Sequence, residues 1–226
     1  MVGQLICAPK GRGRGAMGRL YGMPVLRVEV DRSGFWGERR LRRAGKSLRL
    51  GGAARVLTSR DFDRWSLLEA FGLRRVDPEL FVRAQSVPLT LEVLERRGLA
   101  PDRATVALRG LRADREMART AAELCSRVRR LVVDAPRGGQ ELAQWLRREF
   151  GMPILPPGEL GQAALRFQEE CPAKEEATLD LFGHRPRLAG LTLTAPGLAE
   201  EDREDLPLLA ALWEGGRLGP NDIKIT

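Results

Sequence analysis

Histidine, cysteine and long apolar runs are scarce in this 226-residue chain, and each scarcity excludes a class of protein. The single histidine, His184, excludes metal sites built on paired histidines and leaves one imidazole for acid–base chemistry. Three cysteines cannot form the dense disulfide framework of a small secreted domain, so we expect a reducing, cytoplasmic location. No apolar run approaches the roughly 18 residues that a membrane-spanning helix needs.

Lysine is also scarce, and the basic charge is concentrated near the start of the chain. Arginine supplies 34 of the 38 basic side chains. Residues 1–60 carry fourteen basic side chains against three acidic ones, whereas residues 61–226 carry 24 against 27. Clustered cations favour a polyanionic partner because binding releases condensed counterions, so the expected partners are nucleic acid, a nucleotide or an acidic protein. An arginine-rich composition imposed by a GC-rich genome explains the same excess without any partner.

The first 22 residues contain the low-complexity stretch GRGRGAMGR and no apolar period. This composition predicts a disordered basic tail over residues 1–22, or a segment that precedes a true start at Met17 or Met23. A third interpretation is an Arg/Gly arm that touches nucleic acid.

From residue 23 onward, short apolar runs alternate with amphipathic stretches. The strand candidates are 25–30, 54–59, 104–110, 129–135 and 152–156, and the helix candidates between them include 36–50, 61–71, 114–128 and 138–150. Repeated strand–helix–strand units predict an α/β fold with a mostly parallel sheet and helices on both faces. We therefore predict one α/β body over residues 23–226, with 23–99 and 100–226 as candidate lobes.

The pattern changes after Pro156. Short apolar segments at 164–168, 177–183 and 189–196 are separated by links too short for crossover helices, so we expect antiparallel pairing there. A helix over 206–215 and a terminal strand in NDIKIT complete this antiparallel C-terminal extension.

Basic residues on one side of the predicted helix 36–50 form the first candidate site. At 100° per residue they fall within about 120° of arc, opposite an apolar stripe. We call this set the cationic helix face: Arg39, Arg42, Arg43, Lys46 and Arg49. It can bind phosphate groups, with Phe35 and Trp36 nearby to stack on bases. The alternative interpretation is an ordinary solvated helix surface.

Residues 104–155 read as strand, helix, strand, helix, strand and, at the level of the fold, resemble one mononucleotide-binding half of a Rossmann domain. The resemblance implies a Rossmann-like sheet with a crevice at the carboxyl ends of its strands. The residues that would line this crevice are Gly110, Arg112, Asp134, Arg137 and Gly138. The sequence departs from the dinucleotide-binding pattern because Gly110 stands alone where G-x-G-x-x-G is needed. We therefore predict no cofactor.

No part of the sequence supplies a nucleophile, a base and an oxyanion donor together, so we predict no catalytic residue and no metal ligand. The favoured function is a non-catalytic binding or regulatory protein whose basic N-terminal helix contacts a polyanionic or phosphorylated partner. The alternative is an enzyme that acts on a nucleotide-like substrate in a degenerate Rossmann crevice.

Overall fold

A computed structural model describes all 226 residues, and the chain divides into two compact units. Unit 1 comprises Met1–Pro78 and Ala195–Ile223, and unit 2 comprises Glu79–Thr194 and Lys224–Thr226. The division therefore falls at residue 78 and not at the predicted lobe boundary of residue 99. The C-terminal part of the chain contributes to both units. Sequence patterns do not reveal this division, because the apolar face of a helix does not specify which sheet the helix covers.

Strands and helices alternate along most of the chain. The strands are β1 (Val2–Cys7), β2 (Arg12–Leu20), β3 (Met23–Val30), β4 (Arg55–Leu57), β5 (Arg74–Arg75), β6 (Thr105–Arg109), β7 (Arg130–Asp134), β8 (Ile154–Leu155), β9 (Ala163–Arg166), β10 (Thr178–Asp180), β11 (Leu193–Thr194) and β12 (Lys224–Ile225). The helices are α1 (Gly37–Leu50), α2 (Trp65–Glu69), α3 (Glu79–Ala84), α4 (Ser86–Arg96), α5 (Arg115–Leu124), α6 (Gly139–Phe150) and α7 (Leu206–Glu214). None of them combines the length and apolar character that crossing a bilayer requires.

The sheet of unit 1 has the order β2-β3-β1-β4-β5, with β1 at its centre. Neighbouring strands are parallel except for β2, which pairs antiparallel with β3. The prediction of a disordered tail over residues 1–22 is corrected here, because Val2–Cys7 is the central strand and Arg12–Leu20 is an edge strand. The composition of residues 12–20 has a weak strand propensity and so does not predict β2. Hydrogen bonding to β3 holds this segment in the sheet despite that propensity.

Glycines in β2 allow α1 to pack closely on the sheet. The Gly15 amide donates to Ser47 Oγ at 3.1 Å, and a Cβ on Gly13 would lie 3.4 Å from the Arg40 carbonyl oxygen. The apolar side of α1 joins a core whose members include Leu5, Val28, Leu41, Ala44, Leu48 and Leu68. The alternation of glycine and arginine in GRGRG therefore has a packing cause: the glycines at 13 and 15 face the helix.

The sheet of unit 2 is parallel throughout, in the order β10-β9-β6-β7-β8. If β6 to β10 are numbered 1 to 5, the order read from β8 is 3-2-1-4-5, which is the order of the first five strands of a classic doubly wound sheet. The topology therefore confirms the predicted Rossmann-like α/β class. The small antiparallel sheet of the C-terminal extension is the β11–β12 pair. The antiparallel pairing expected for 164–168 and 177–183 is wrong, because β9 and β10 extend the parallel sheet and the link between them returns the chain without a helix.

Gly3 provides a test of the position of β1 in the core. Gly3→Ala would put a Cβ 2.8 Å from Leu48 Cδ2 and 3.2 Å from Ala53 Cβ. We expect this crowding to lower the unfolding free energy by about 1–3 kcal/mol, measured by urea denaturation. Gly18→Ala on β2 is the matched control, because nothing lies within 4 Å of its added Cβ. Equal stability of the two variants would contradict the packing of β1 described above.

Candidate functional site

The cationic helix face lies on the exposed side of α1. All five of its residues are exposed, whereas Leu41, Ala44 and Leu48 on the other side are buried in the core of unit 1. The helical period predicted this division, because α1 covers almost the whole of the predicted range 36–50.

Most of the charge on the cationic helix face has no carboxylate partner. Arg42 Nη2 pairs with Glu38 at 2.6 Å, one turn earlier on the helix. Arg43, Lys46 and Arg49 form no ion pair, although other surface arginines of unit 1 do, as in the 2.6 Å pair between Arg55 and Glu214. Counterions from solvent therefore balance these three charges, and a phosphate polymer can displace such counterions.

Two exposed aromatic rings lie where α1 begins. Phe35 is 92% exposed and Trp36 is 52% exposed, and their rings meet edge to face with centroids 5.3 Å apart. The Arg39 guanidinium lies 5.3 Å from the centroid of the Trp36 ring, a distance typical of a cation–π contact. Large apolar groups left in water beside a cationic surface are typical of contact sites.

The five residues predicted to line a cofactor crevice lie together at the carboxyl edge of the unit 2 sheet. Gly110 and Arg112 follow β6, whereas Asp134 ends β7 and precedes Arg137 and Gly138. The Gly110 amide donates to the Asp134 carbonyl at 3.0 Å, and an isolated β-bridge joins Arg112 to Arg137. The two loops therefore continue the pairing of β6 with β7 and hold all five residues close to one another.

Side chains fill the space above Gly110. A Cβ on Gly110 would lie 2.6 Å from Met117 Cε and 2.7 Å from Gln168 Oε1. Gln168 is held there because its Oε1 accepts a hydrogen bond from the Leu111 amide at 2.7 Å. A diphosphate docks at this bend only when the backbone is open to it, and here the Gln168 amide occupies that position.

A carboxylate of the protein itself, Asp114, occupies the N-terminus of α5. Asp114 caps the helix and accepts a hydrogen bond from the Met117 amide at 2.9 Å. Arg83 Nη1 lies 3.4 Å from the same carboxylate, and Arg83 also donates to the carbonyls of Leu181 and Phe167. The helix terminus that accepts a phosphate in dinucleotide-binding domains is thus already capped by a carboxylate.

Asp134 is also engaged within the protein. Its Oδ2 accepts from Arg109 Nη1 at 2.5 Å and from Lys174 Nζ at 3.1 Å. In dinucleotide-binding domains an acid at this strand end binds ribose hydroxyls. Here Arg109 and Lys174 form ion pairs with Asp134, so an acid at this position in the sequence does not by itself make a ribose site.

The guanidinium of Arg109 joins the segments at this edge of the sheet, a role that no sequence motif predicted. Arg109 is 1% exposed; its Nε donates to Glu175 Oε2 at 2.9 Å, and its Nη2 contacts Glu175 and donates to the Glu159 carbonyl at 2.9 Å. Burial opposes the charged form, but the hydrogen bonds and charges of Glu175 and Asp134 outweigh it and raise the pKa of Arg109. The available signal was an arginine that ends the otherwise uncharged strand TVALR.

A groove of about 350 Å³ remains beside the filled crevice. Its lining residues are Glu79, Arg83, Leu111, Arg112, Asp114, Arg137 and Gln168, of which Glu79 and Asp114 pair with Arg83. Arg112 and Arg137 form no ion pair, so the groove can accept an anionic group. No serine or cysteine lines it to act as a nucleophile, and no cluster of three or more His, Cys, Asp or Glu side chains in the structure is arranged to hold a metal ion.

Comparison with known proteins finds little that resembles this chain. No protein-family model matches the chain, and no curated protein matches it. Among solved structures, the chain is similar to L-tryptophan dehydrogenase from Nostoc punctiforme, with 14% identity and a TM-score of 0.32 over 74% of this chain and 55% of that chain. The chain therefore spans about half the length of that structure, and a likeness of this size carries no argument about activity or cofactor.

Replacing Glu175 tests the buried ion cluster. Glu175→Gln leaves Arg109 with one fewer counter-charge in a buried site, so we expect a loss of about 3 kcal/mol in unfolding free energy. Chemical denaturation measures the loss. Glu176→Gln is the matched control, because the Glu176 side chain is 89% exposed and its pair with Arg97 should contribute less than about 1 kcal/mol. Similar losses in both variants would contradict the role assigned to Arg109.

The filled crevice predicts how the protein responds to coenzymes. Because Gln168 and Asp114 occupy the places that a diphosphate needs in this crevice, we expect no rise in Tm that depends on Asp134: NAD or NADP at about 1 mM should shift the Tm of the parent and of Asp134→Asn equally in a thermal-shift assay. A concentration-dependent rise that disappears in Asp134→Asn would contradict this prediction and favour the dinucleotide interpretation.

Proposed function

We propose that this protein is a non-catalytic nucleic-acid-binding protein and that the cationic helix face contacts the phosphate backbone of a single strand. One observation carries the proposal: Arg43, Lys46 and Arg49 are exposed and lack carboxylate partners, on the helix that begins with the exposed rings of Phe35 and Trp36. Cations that follow a backbone and aromatic rings that stack on bases are the two components of sequence-tolerant single-strand binding.

The spacing of these cations suits a chain of phosphates. Positions three apart on a helix are neighbours, with Cβ atoms about 5–6 Å from each other, so residues 43, 46 and 49 form a continuous row. Unit 1 as a whole carries nineteen basic side chains against fourteen acidic ones, and this net positive charge adds a weak attractive field around the row. Both the local row and the surrounding charge therefore favour a polyanion.

The exposed rings favour nucleic acid over the other expected partners. Stacking of a base on an aromatic side chain contributes about 1–3 kcal/mol, and Trp36 presents about half of its surface. An acidic protein would engage the cations without needing the rings, and a single nucleotide would span only part of the row.

A second candidate function is an enzyme or binding protein for a nucleotide-like molecule in the groove beside Arg112 and Arg137. The unpaired charges of these two arginines favour it. The engagement of Asp114, Asp134 and Gln168 within the protein weakens it, because these groups fill the positions that a nucleotide would use.

Removing charge from the helix face tests the first proposal. We expect Arg43→Gln with Lys46→Gln to weaken binding of a fluorescent single strand of about 20 nucleotides by about tenfold, because two phosphate contacts are lost. The slope of log affinity against log salt should fall by about 1.4, at about 0.7 per contact. Fluorescence anisotropy at several salt concentrations measures both quantities.

A control with the same net charge separates a local site from general attraction. Arg119→Gln with Arg148→Gln removes two exposed charges in unit 2 and should leave the affinity within about twofold of the parent. Trp36→Ala should weaken binding without changing the salt slope, because stacking releases no counterions. Equal losses in the two double variants, or no binding by the parent at low salt, would overturn the proposal.

A further inference from the structure

A second cationic surface lies on the opposite face of the unit 1 sheet. It is a groove of about 460 Å³ at one end of β2 and β3, which we call the sheet groove. Its lining side chains are Lys10, Arg12, Arg14, Ala16, Arg27 and Glu29. None of these residues belongs to the cationic helix face, and the proposed nucleic-acid function does not use them.

Strand alternation builds the sheet groove. Val28 and Gly15 are register partners on the side that α1 covers, so their neighbours Arg27 and Ala16, which are also partners, point the other way. Part of that second face is covered near α7, where Arg55 pairs with Glu214 at 2.6 Å. The end of the face that carries the arginines stays open.

The four cations of the sheet groove form no ion pairs, although a carboxylate is close by. Glu29 lines the same groove but forms no ion pair with Lys10, Arg12, Arg14 or Arg27. Like charges gathered without counter-charges repel one another, and this cost is relieved when an anion binds between them. The arrangement is therefore typical of an anion-binding site and differs from a network of surface ion pairs.

Arg27 is held in an orientation that suits phosphate. Its Nε donates to Gln4 Oε1 at 3.0 Å, which fixes the plane of the guanidinium. Its two terminal nitrogens have no protein acceptor, so they are available as a fork for two oxygens of one phosphate group. Arg27 is also half-buried, so less of its charge is screened by solvent than at a fully exposed position.

The backbone at Lys10 supports the same interpretation. Lys10 has a φ of 65°, in the left-handed region that a lysine rarely occupies. A lysine at a position that favours glycine is the kind of local strain that accompanies binding sites.

We propose that the sheet groove binds a small molecule through a diphosphate group. The volume lies within the range of small-molecule sites, but the lining is mostly charged, so the recognised part of the ligand is an anion and not an apolar ring. Four cations match the charge of two linked phosphates better than that of one carboxylate. Glu29 can accept a hydrogen bond from a hydroxyl group on the rest of the ligand, which favours a phosphorylated sugar or nucleoside.

Isothermal titration of the full chain with inorganic pyrophosphate, and separately with ADP, tests the proposal at constant ionic strength. We expect both to bind more tightly than sulfate, because only they carry two linked phosphates. Arg12→Gln with Arg14→Gln should weaken pyrophosphate binding at least about tenfold, and both positions are exposed, so the variant should fold. Glu29→Gln should tighten pyrophosphate binding several-fold because it removes a repelling charge.

The helix-face variant Arg43→Gln with Lys46→Gln is the matched control and should bind pyrophosphate like the parent. Failure of pyrophosphate and ADP to bind, equal binding of sulfate, or equal loss in the helix-face variant would overturn the proposal. Displacement of pyrophosphate by the single strand of nucleic acid would overturn it as well, because the groove would then belong to the polymer site. Loss of nucleic-acid binding alone would leave the sheet groove intact, since the two tests use different residues.

Discussion

The buried charge of Arg109 is the constraint on which the functional interpretation depends. A guanidinium that is 1% exposed is tolerated only when its donors are satisfied and its charge is balanced. Glu175 and Asp134 balance it, and the Glu159 carbonyl accepts a further hydrogen bond. These acceptors belong to three separate segments of unit 2, and the buried guanidinium binds all three. One of the acceptors is Asp134, the carboxylate that would otherwise be available to a nucleotide.

With that edge filled by its own side chains, the candidate binding surfaces that remain include two groups of unpaired cations in unit 1. Its sheet carries two cationic surfaces on opposite faces, and both arise from packing. The apolar stripe of α1 turns Arg43 and Lys46 outward, and the glycines of β2 that admit the helix leave Arg12 and Arg14 for the other face. What distinguishes both surfaces from ordinary basic composition is that their cations, except Arg42, form no ion pair, because an arginine-rich composition by itself does not keep carboxylates away from the cations.

Several features of the site were predictable because they depend on local geometry. A period of 3.6 residues was enough to separate the cationic helix face from Leu41 and Leu48, since both lie on one continuous helix. The carboxyl ends of neighbouring parallel strands meet at one edge, so Gly110 and Asp134 were expected to lie close together. Whether the space between them was open depended on Gln168, which is distant in sequence and carries no local signal of its position.

The sequence by itself determined the α/β class, the amphipathic helix and the uneven distribution of charge, because each follows from the spacing and identity of neighbouring residues. Only the tertiary structure decided that residues 2–7 form a central strand, that β9 and β10 extend a parallel sheet, and that the Rossmann-like crevice is filled. The physical reason is that strand pairing and the balancing of a buried charge join residues far apart in the chain. The pattern around any one of those residues does not encode its partners.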